Sequence, residues 1–426
     1  MVLLLAGLAL ALLALLGAPL FSVIGLIAVL AFAGAGIDSS AVIVELYRIA
    51  SNPTLVAIPL FTFSGYVLAE SKTPVRLVNL ARAFFGGIPG GLAIVALVTC
   101  AVFTAFTGAS GVTIVALGGL LYPILLKENY SERFSLGLIT TSGSLGLLFP
   151  PSLPLILFAL ISKVSVDRLF AAGLLPGLLL VGLLSAYSLR IGRSLRLPRT
   201  PFSARNALAA VRAAGWELPL PVLIIGGIYS GFFTATEAAA VTAFYVTVVE
   251  VFIYRDLHLF RDIPRVMKES MLLVGAIMMI LGAAFGLTSY LIDEEVPMKL
   301  FALTQSLISS PVVFLIVLNL FLIAVGMMMD IFSAIIVVVP LILPVAAAYG
   351  VDPVHLGIIF LTNLEIGYLT PPVGLNLFIS SLRFHKPVVT VVRATLVFIG
   401  ILLAALVVIT YVPDLSLWPV RLLNIR

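Results

Sequence analysis

Along nearly the whole chain, apolar runs long enough to cross a bilayer alternate with short polar stretches. The pattern predicts spans near residues 2–17, 19–36, 54–70, 134–162, 169–189, 216–232, 236–254, 271–292, 357–381 and 388–412. Two of these are interrupted by the same device. "SGSLGLLFPPSLPLILF" puts Pro150 and Pro151 inside the span 134–162, and "LEIGYLTPPVGLNLF" puts Pro371 and Pro372 inside 357–381. Proline lacks an N–H and clashes with the preceding turn, so each pair predicts a broken helix. Two further stretches, 88–122 and 311–345, hold Gly and small polar residues at their middles, "FTAFTGASGVT" and "AVGMMMDIFSA". Each predicts a re-entrant hairpin of two half-length helices, tolerated only where protein or a watery cavity surrounds the tip.

Composition agrees with the pattern. The chain is 62% hydrophobic and 10% charged, against about a quarter charged in soluble domains. The prediction is an all-α polytopic membrane protein with no soluble domain. The start of the chain lacks a basic leading segment and its apolar run is too long for a signal peptide, so it reads as two joined spans. One cysteine, Cys100, excludes an internal disulfide, and the sequence has no metal-ligand spacing. The net charge of +5 comes from loop Arg and Lys that orient the protein and implies no nucleic-acid partner.

Those loop charges test the layout. Arg190, Arg193, Arg196, Arg199, Arg205 and Arg212 form the strongest basic cluster and place their loop in the cytoplasm. Counting spans both ways puts Lys72, Arg76, Arg82, Lys127, Arg133, Arg255, Arg261, Arg265, Lys268, Arg383 and Lys386 inside, provided that 88–122 and 311–345 each return to their own side. "DEEVPMK" and "AYGVDPVH" then fall outside.

The chain also repeats itself. At one fixed offset, that from Gly65 to Gly286, Pro123 pairs with Pro344, Thr141 with Thr362, Gly146 with Gly367, Pro150 with Pro371 and Pro151 with Pro372. The charge count puts the base of the first hairpin inside and that of the second outside. Two inverted repeats follow, 1–212 and 213–426, a pattern typical of secondary transporters. Carbonyls freed at the breaks must be satisfied, and a cation can do it. Half-helix N-termini at the hairpin tips present N–H groups to an anion. The expectation is two cation sites flanking one anionic substrate.

The stretches "PLFTFSGYVLAES", "FTAFTGASGVT", "GLLFPPS", "GGIYSGFFTATEAAAV", "GMMMD" and "YGVDPVHLGIIFLTNLEIGYLTPPVGLNLF" resemble the large membrane subunit of the tripartite ATP-independent periplasmic (TRAP) transporters. They cover nearly the whole chain. The resemblance implies a sodium-driven, elevator-type symporter of organic acids, such as sialic acid or a C4-dicarboxylate, in the bacterial inner membrane. It also implies a small four-span membrane subunit and a periplasmic substrate-binding protein as partners. It places a first sodium site at Thr104, Thr107, Gly146, Phe149 and Pro151, where Ser is expected at both Thr positions. A second falls at Gly326, Gly367, Thr370 and Val373. Its mechanism moves the hairpins and broken helices as one body against a fixed scaffold.

Asp330, the one carboxylate near the middle of a hairpin, either serves the substrate cavity, locks the tip, or caps or pairs structurally. Thr141, Ser142 and Asn363 precede the breaks and offer hydrogen bonds to substrate, or pack helices together. Glu365 is expected to cap freed N–H groups. Glu237, three residues after Thr234, reads as a capping box. His258, His355 and His385 are expected to be solvated, and Met327, Met328 and Met329 to pack the tip. An intramembrane enzyme would need paired acids or a His–Asp set in one cavity, so no enzyme is expected. A stand-alone sodium–dicarboxylate symporter or ion antiporter of similar fold is the alternative.

Overall fold

The structure is a computed structural model that describes residues 13, 18–40, 42–44, 47, 53–195, 203–308 and 310–423. The expected span 2–17, apart from Leu13, lies outside the described residues, as do Arg196 and Arg199. Among the described residues seven helices are long and apolar enough to cross a bilayer, or up to nine if each of two bent pairs is one span. The chain is a multi-pass membrane protein.

At both expected hairpins two helices are joined by a two-residue turn, but three of the four arms have 18 residues and are long and apolar enough to cross a bilayer, so the arms are not half-length. Hairpin 1 pairs Gly91–Thr107 with Ser110–Lys127 through Gly108 and Ala109, and Gly108 takes the left-handed φ of 64° that ends a helix. Hairpin 2 pairs Pro311–Met328 with Ile331–Ala348 through Met329 and Asp330. Both breaks are present too. Glu132–Ser142 gives way to a short turn over Leu145–Leu148, a non-helical stretch 149–152 and then Leu153–Ser162, with a bend of 43°. Pro353–Gly367 gives way to a loop over 368–374 and then Leu375–Phe384. Both Pro–Pro bonds are cis. The broken helices form the core: every residue from 354 to 369 is buried, and so is every residue from 134 to 159 except Phe149.

Contacts along helix Val388–Tyr411 fix where the hairpins open. Near its start, Arg133 Nη2 donates to the Arg393 carbonyl at 3.0 Å, and Lys386 pairs with Glu132, just beyond the end of hairpin 1. At its end, the Tyr411 hydroxyl donates to the carbonyl of Val312, the second residue of hairpin 2. The helix has 24 residues, which at 1.5 Å per residue is roughly 36 Å. The two hairpin bases therefore sit at opposite ends of one long helix.

Four helices occupy stretches that the pattern left outside the spans: Thr73–Phe85, Ala204–Ala213, Val296–Leu307 and Asp414–Leu422. They are amphipathic or short, so no apolar run announces them. The first follows helix Ala57–Glu70 after a 74° bend at Ser71 and Lys72. A buried charge cluster holds that bend. Arg76 donates to Glu217, to Glu250 at 2.9 and 3.0 Å, and to Asp256, while its guanidinium lies 3.9 Å from the centre of the Tyr254 ring. Thr73 and Tyr254 add hydroxyl bonds to Glu250 and Glu217.

Candidate functional site

Hairpin 1 meets break 1 backbone to backbone. A Cβ at Gly146 would stand 2.2 Å from the Ala101 carbonyl oxygen and 2.5 Å from the Ala105 nitrogen, so only glycine allows this approach. Hairpin 2 meets break 2 in the same manner, since a Cβ at Gly367 would stand 2.5 Å from the carbonyl carbon of Gly326. Ala105 and Gly326 are separated by the repeat offset, as Gly146 and Gly367 are.

Of the residues of the first expected sodium site, Thr104, Gly146 and Phe149 meet here. Thr104 Oγ1 lies 2.8 Å from the Cys100 carbonyl, 2.9 Å from that of Gly143 and 2.7 Å from Thr113 Oγ1. Two hydroxyl protons cannot serve four oxygens fully, which leaves an oxygen-rich centre. The Thr107 hydroxyl is buried with no hydrogen-bond partner among the described residues. Phe149 donates its N–H to the Gly146 carbonyl at 3.1 Å, and Pro151 is buried two residues on. The donor set of carbonyls and hydroxyls is what a hard monovalent cation takes.

At the second site, the Thr370 N–H donates to the Gly367 carbonyl at 2.9 Å, and the Thr370 hydroxyl donates to Ile366 at 2.8 Å, leaving its lone pairs free. The Gly374 N–H donates to the Met327 carbonyl at 3.1 Å, binding the break to the tip. Val373 is exposed, as are Pro371 and Pro372, whereas Pro150 and Pro151 are buried.

Between the two tips lies a cavity of about 280 Å³. Its wall is built from pairs that the repeat offset relates: Ala109 and Asp330, Ser110 and Ile331, Gly111 and Phe332, Leu147 and Tyr368. Tyr66 on Ala57–Glu70 and Leu273 on Asp262–Asp293 close it from outside the hairpins and breaks. The two helix ends that face it differ. Asp330 caps its own helix, accepting from the N–H groups of Phe332 at 3.0 Å and Ser333 at 3.1 Å, and the Ile331 N–H donates to the Tyr368 hydroxyl. That end has no donor to spare. At hairpin 1 the end is uncapped by any side chain, and Ser110, Gly111 and Val112, the first residues of its helix, line the cavity. A helix N-terminus without a side-chain cap keeps N–H groups that suit an anion, which the capped end at Asp330 does not.

Of the residues expected to bind substrate, Asp330 reaches this cavity, in the capping role. Thr141, Ser142 and Asn363 do not line it. The Thr141 hydroxyl is buried without a partner among the described residues, Ser142 donates to the Ile139 carbonyl, and Asn363 donates to Asn319 at 2.7 Å and to Ile359. Asn319 in turn donates to Thr410, so this chain packs helices. Two expectations are corrected. Both Glu365 carboxyl oxygens are buried and lack partners among the described residues, so they cap nothing. His355 is buried, not solvated, with its ring nitrogens 3.3 Å from Ser416 Oγ and the Thr410 carbonyl. The Thr234–Glu237 capping box is present as expected. Ser110, Tyr66, Tyr368 and Asn376 were missed, although Ser110 and Asn376 stand in the two motifs that carry the tip and the break.

Two helical hairpins seated against two broken helices around one cavity define a membrane-transporter architecture. Residues 7–415 match the family described as "Tripartite ATP-independent periplasmic transporter, DctM component". The chain belongs to this family. It is 39% identical over 394 residues to the C4-dicarboxylate TRAP transporter large permease protein DctM of Pseudomonas aeruginosa, with 92% of each chain covered. The protein of the same description from Vibrio cholerae is 38% identical, over 87% of this chain and 86% of its own. The 2,3-diketo-L-gulonate TRAP transporter large permease protein YiaN of Escherichia coli is 32% identical, with 88% of each covered. Among solved structures, the Alcanivorax borkumensis YdaH transporter matches with a TM-score of 0.62 at 15% identity, over 89% of this chain and 88% of that one, a likeness of fold alone.

Proposed function

We propose that the chain is the large membrane subunit of a sodium-driven symporter that brings an organic acid anion across the bacterial inner membrane. It works with a small four-span membrane subunit and receives its cargo from a periplasmic binding protein. C4-dicarboxylates are the first candidates, because the relatives of highest identity quoted above are described as their permeases. The observation that carries the reading is the cavity between tips whose bases lie at opposite ends of Val388–Tyr411. Inverted halves produce that arrangement, and alternating access of one site follows from it.

Sodium has a chemical role here. The Thr104 oxygen cluster and the unpartnered Thr107 hydroxyl suit one ion at the first tip, and Gly326, Gly367, Thr370 and Val373 suit another at the second. Together they offset the charge of a dicarboxylate in a cavity whose lining has no Lys or Arg. The hairpins and breaks then travel as one body against the long outer helices.

Reconstitution tests this directly. Vesicles holding the chain and its small subunit, given the binding protein and labelled succinate, are expected to accumulate it under an inward sodium gradient. Accumulation that is indifferent to replacing sodium by potassium would remove the coupling. Accumulation by the chain alone, without a binding protein, would favour a stand-alone symporter.

A further inference from the structure

A buried polar chain joins the two halves. Ser110, the first residue of the second arm of hairpin 1, donates its hydroxyl to Asn376 Oδ1 at 2.8 Å. Asn376 stands two residues past break 2, and its backbone N–H donates to the Tyr368 carbonyl within that break at 3.2 Å. Its side-chain Nδ2 points at the Thr140 carbonyl at 3.5 Å, and the Thr140 hydroxyl donates to Ser380 at 2.9 Å. Ser110 is 4% exposed and the other three are fully buried. The repeat has no copy of this wiring: the equivalent positions in the opposite halves are Ile331, Leu155, Leu361 and Ala159.

The packing around the chain is close. A Cβ at Gly111, Gly118 or Gly119 would meet Ile379, Ile139 and Phe384, or Arg383 respectively, within 2.0–3.0 Å. Hairpin 1 therefore lies flush on Leu375–Phe384, the helix that leaves break 2. Break 2 is bonded to hairpin 2 as well, through Gly374 to Met327 and through Tyr368 to Ile331. It thus holds both walls of the cavity: Asn376 bonds the uncapped end at Ser110 through its side chain, and Arg383 Nε donates to the Val115 carbonyl further along the same arm at 3.0 Å.

We propose that Asn376 is a positioning residue that carries the order of the second cation site to the anion-receiving end of hairpin 1. The assignment rests on the proposed function. Sodium at Gly367 and Thr370 fixes the loop 368–374. That loop fixes Asn376 through its backbone bond, and Asn376 fixes Ser110 and the open amides behind it. An amide this deeply buried is costly unless bonded, and here its bonds span two elements that must assemble together. Loss of Asn376 leaves each site able to bind its ion but no longer aware of the other.

Hydrogen exchange on the purified complex, titrated with NaCl at constant ionic strength against KCl, tests this without knowing the cargo. In the wild type, protection of residues 368–374 and 108–113 is expected to rise together with one midpoint. In Asn376→Ala and in Ser110→Ala the two midpoints are expected to separate by roughly tenfold, the loss of one buried hydrogen bond. Ser110→Ala is the milder change and decides the matter if Asn376→Ala does not fold. Midpoints that stay together in the variants overturn the positioning role and leave the sodium reading standing. A wild type whose segments ignore sodium overturns both.

Discussion

Gly367 lies against Gly326 so closely that a Cβ on the first would stand 2.6 Å from the Cα of the second. Backbone cannot yield as a side-chain end can. Gly367→Ala is therefore expected to unseat hairpin 2, and Gly146→Ala hairpin 1, at an overpacking cost of about 1–3 kcal/mol or more. Gly400, with nothing within 4 Å, is the control. Uptake in vesicles should fall more than about tenfold in the first two and stay at the wild-type level in Gly400→Ala. Equal activity in all three would mean that the hairpins need no such seat.

The two threonines at the cation sites differ in their own bonding, and so should their variants. Thr107 has no partner to lose among the described residues, so Thr107→Ala should keep its thermal stability while raising the sodium needed for half-maximal uptake about tenfold. Thr370→Ala gives up one bond from the break to the last turn of Pro353–Gly367 and should raise it similarly. Thr104 is a structural hub, so Thr104→Ala should lower stability and raise the sodium needed for half-maximal uptake together. Sodium titrations beside melting curves separate these outcomes. A Thr107→Ala protein with unchanged sodium dependence would show that its hydroxyl faces no ion.

Tyr368 holds the amide at the start of Ile331–Ala348. Tyr368→Phe leaves that N–H without its partner at the tip of hairpin 2. Hydrogen exchange over 326–334 should quicken, corresponding to about 1–3 kcal/mol of local order, while 104–113 stays as it was. Unchanged exchange at 326–334 would assign the tip's order to Asp330 alone.

The hairpins and breaks were legible because backbone chemistry fixes them. Pro150–Pro151 and Pro371–Pro372 stop a helix whatever surrounds them, and the matched glycines mark approaches that tertiary structure then makes. The arms even end in register, Thr107 with Met328 and Lys127 with Ala348. The wiring was not legible. Ser110 bonds Asn376 across 266 residues, and no spacing announces that. Asn363 looked equally suited to a ligand, and its partner Asn319, on the outer arm of hairpin 2, turned it into packing. Arg76 read as a topology marker alone, because its three carboxylate partners lie 141 to 180 residues away. Repetition gave the frame, while the asymmetric polar contacts depend on tertiary neighbours.

That Arg76 cluster carries a pH signature with a definite sign. Burial alone would raise the Asp256 carboxyl, but the bonds from Arg76 and from the Lys72 N–H outweigh it and hold the group below the ordinary carboxylate range. A group depressed in the folded state contributes stability that is fully present above its unfolded pKa, about 3.9, and is lost as pH falls through the folded one. Wild-type stability should therefore persist down to about pH 4 and fall below it. Arg76→Gln removes the counter-charge from three buried carboxylates, which is expected to cost about 3–5 kcal/mol at pH 7. With Arg76 gone, burial favours the protonated form of Asp256, so the deficit should shrink as pH is lowered from 7 towards 4.5. Melting temperatures of both proteins in detergent across that range check it. A deficit that is constant or grows with acid would mean that the guanidinium acts through its stacking on Tyr254 and not through its charge.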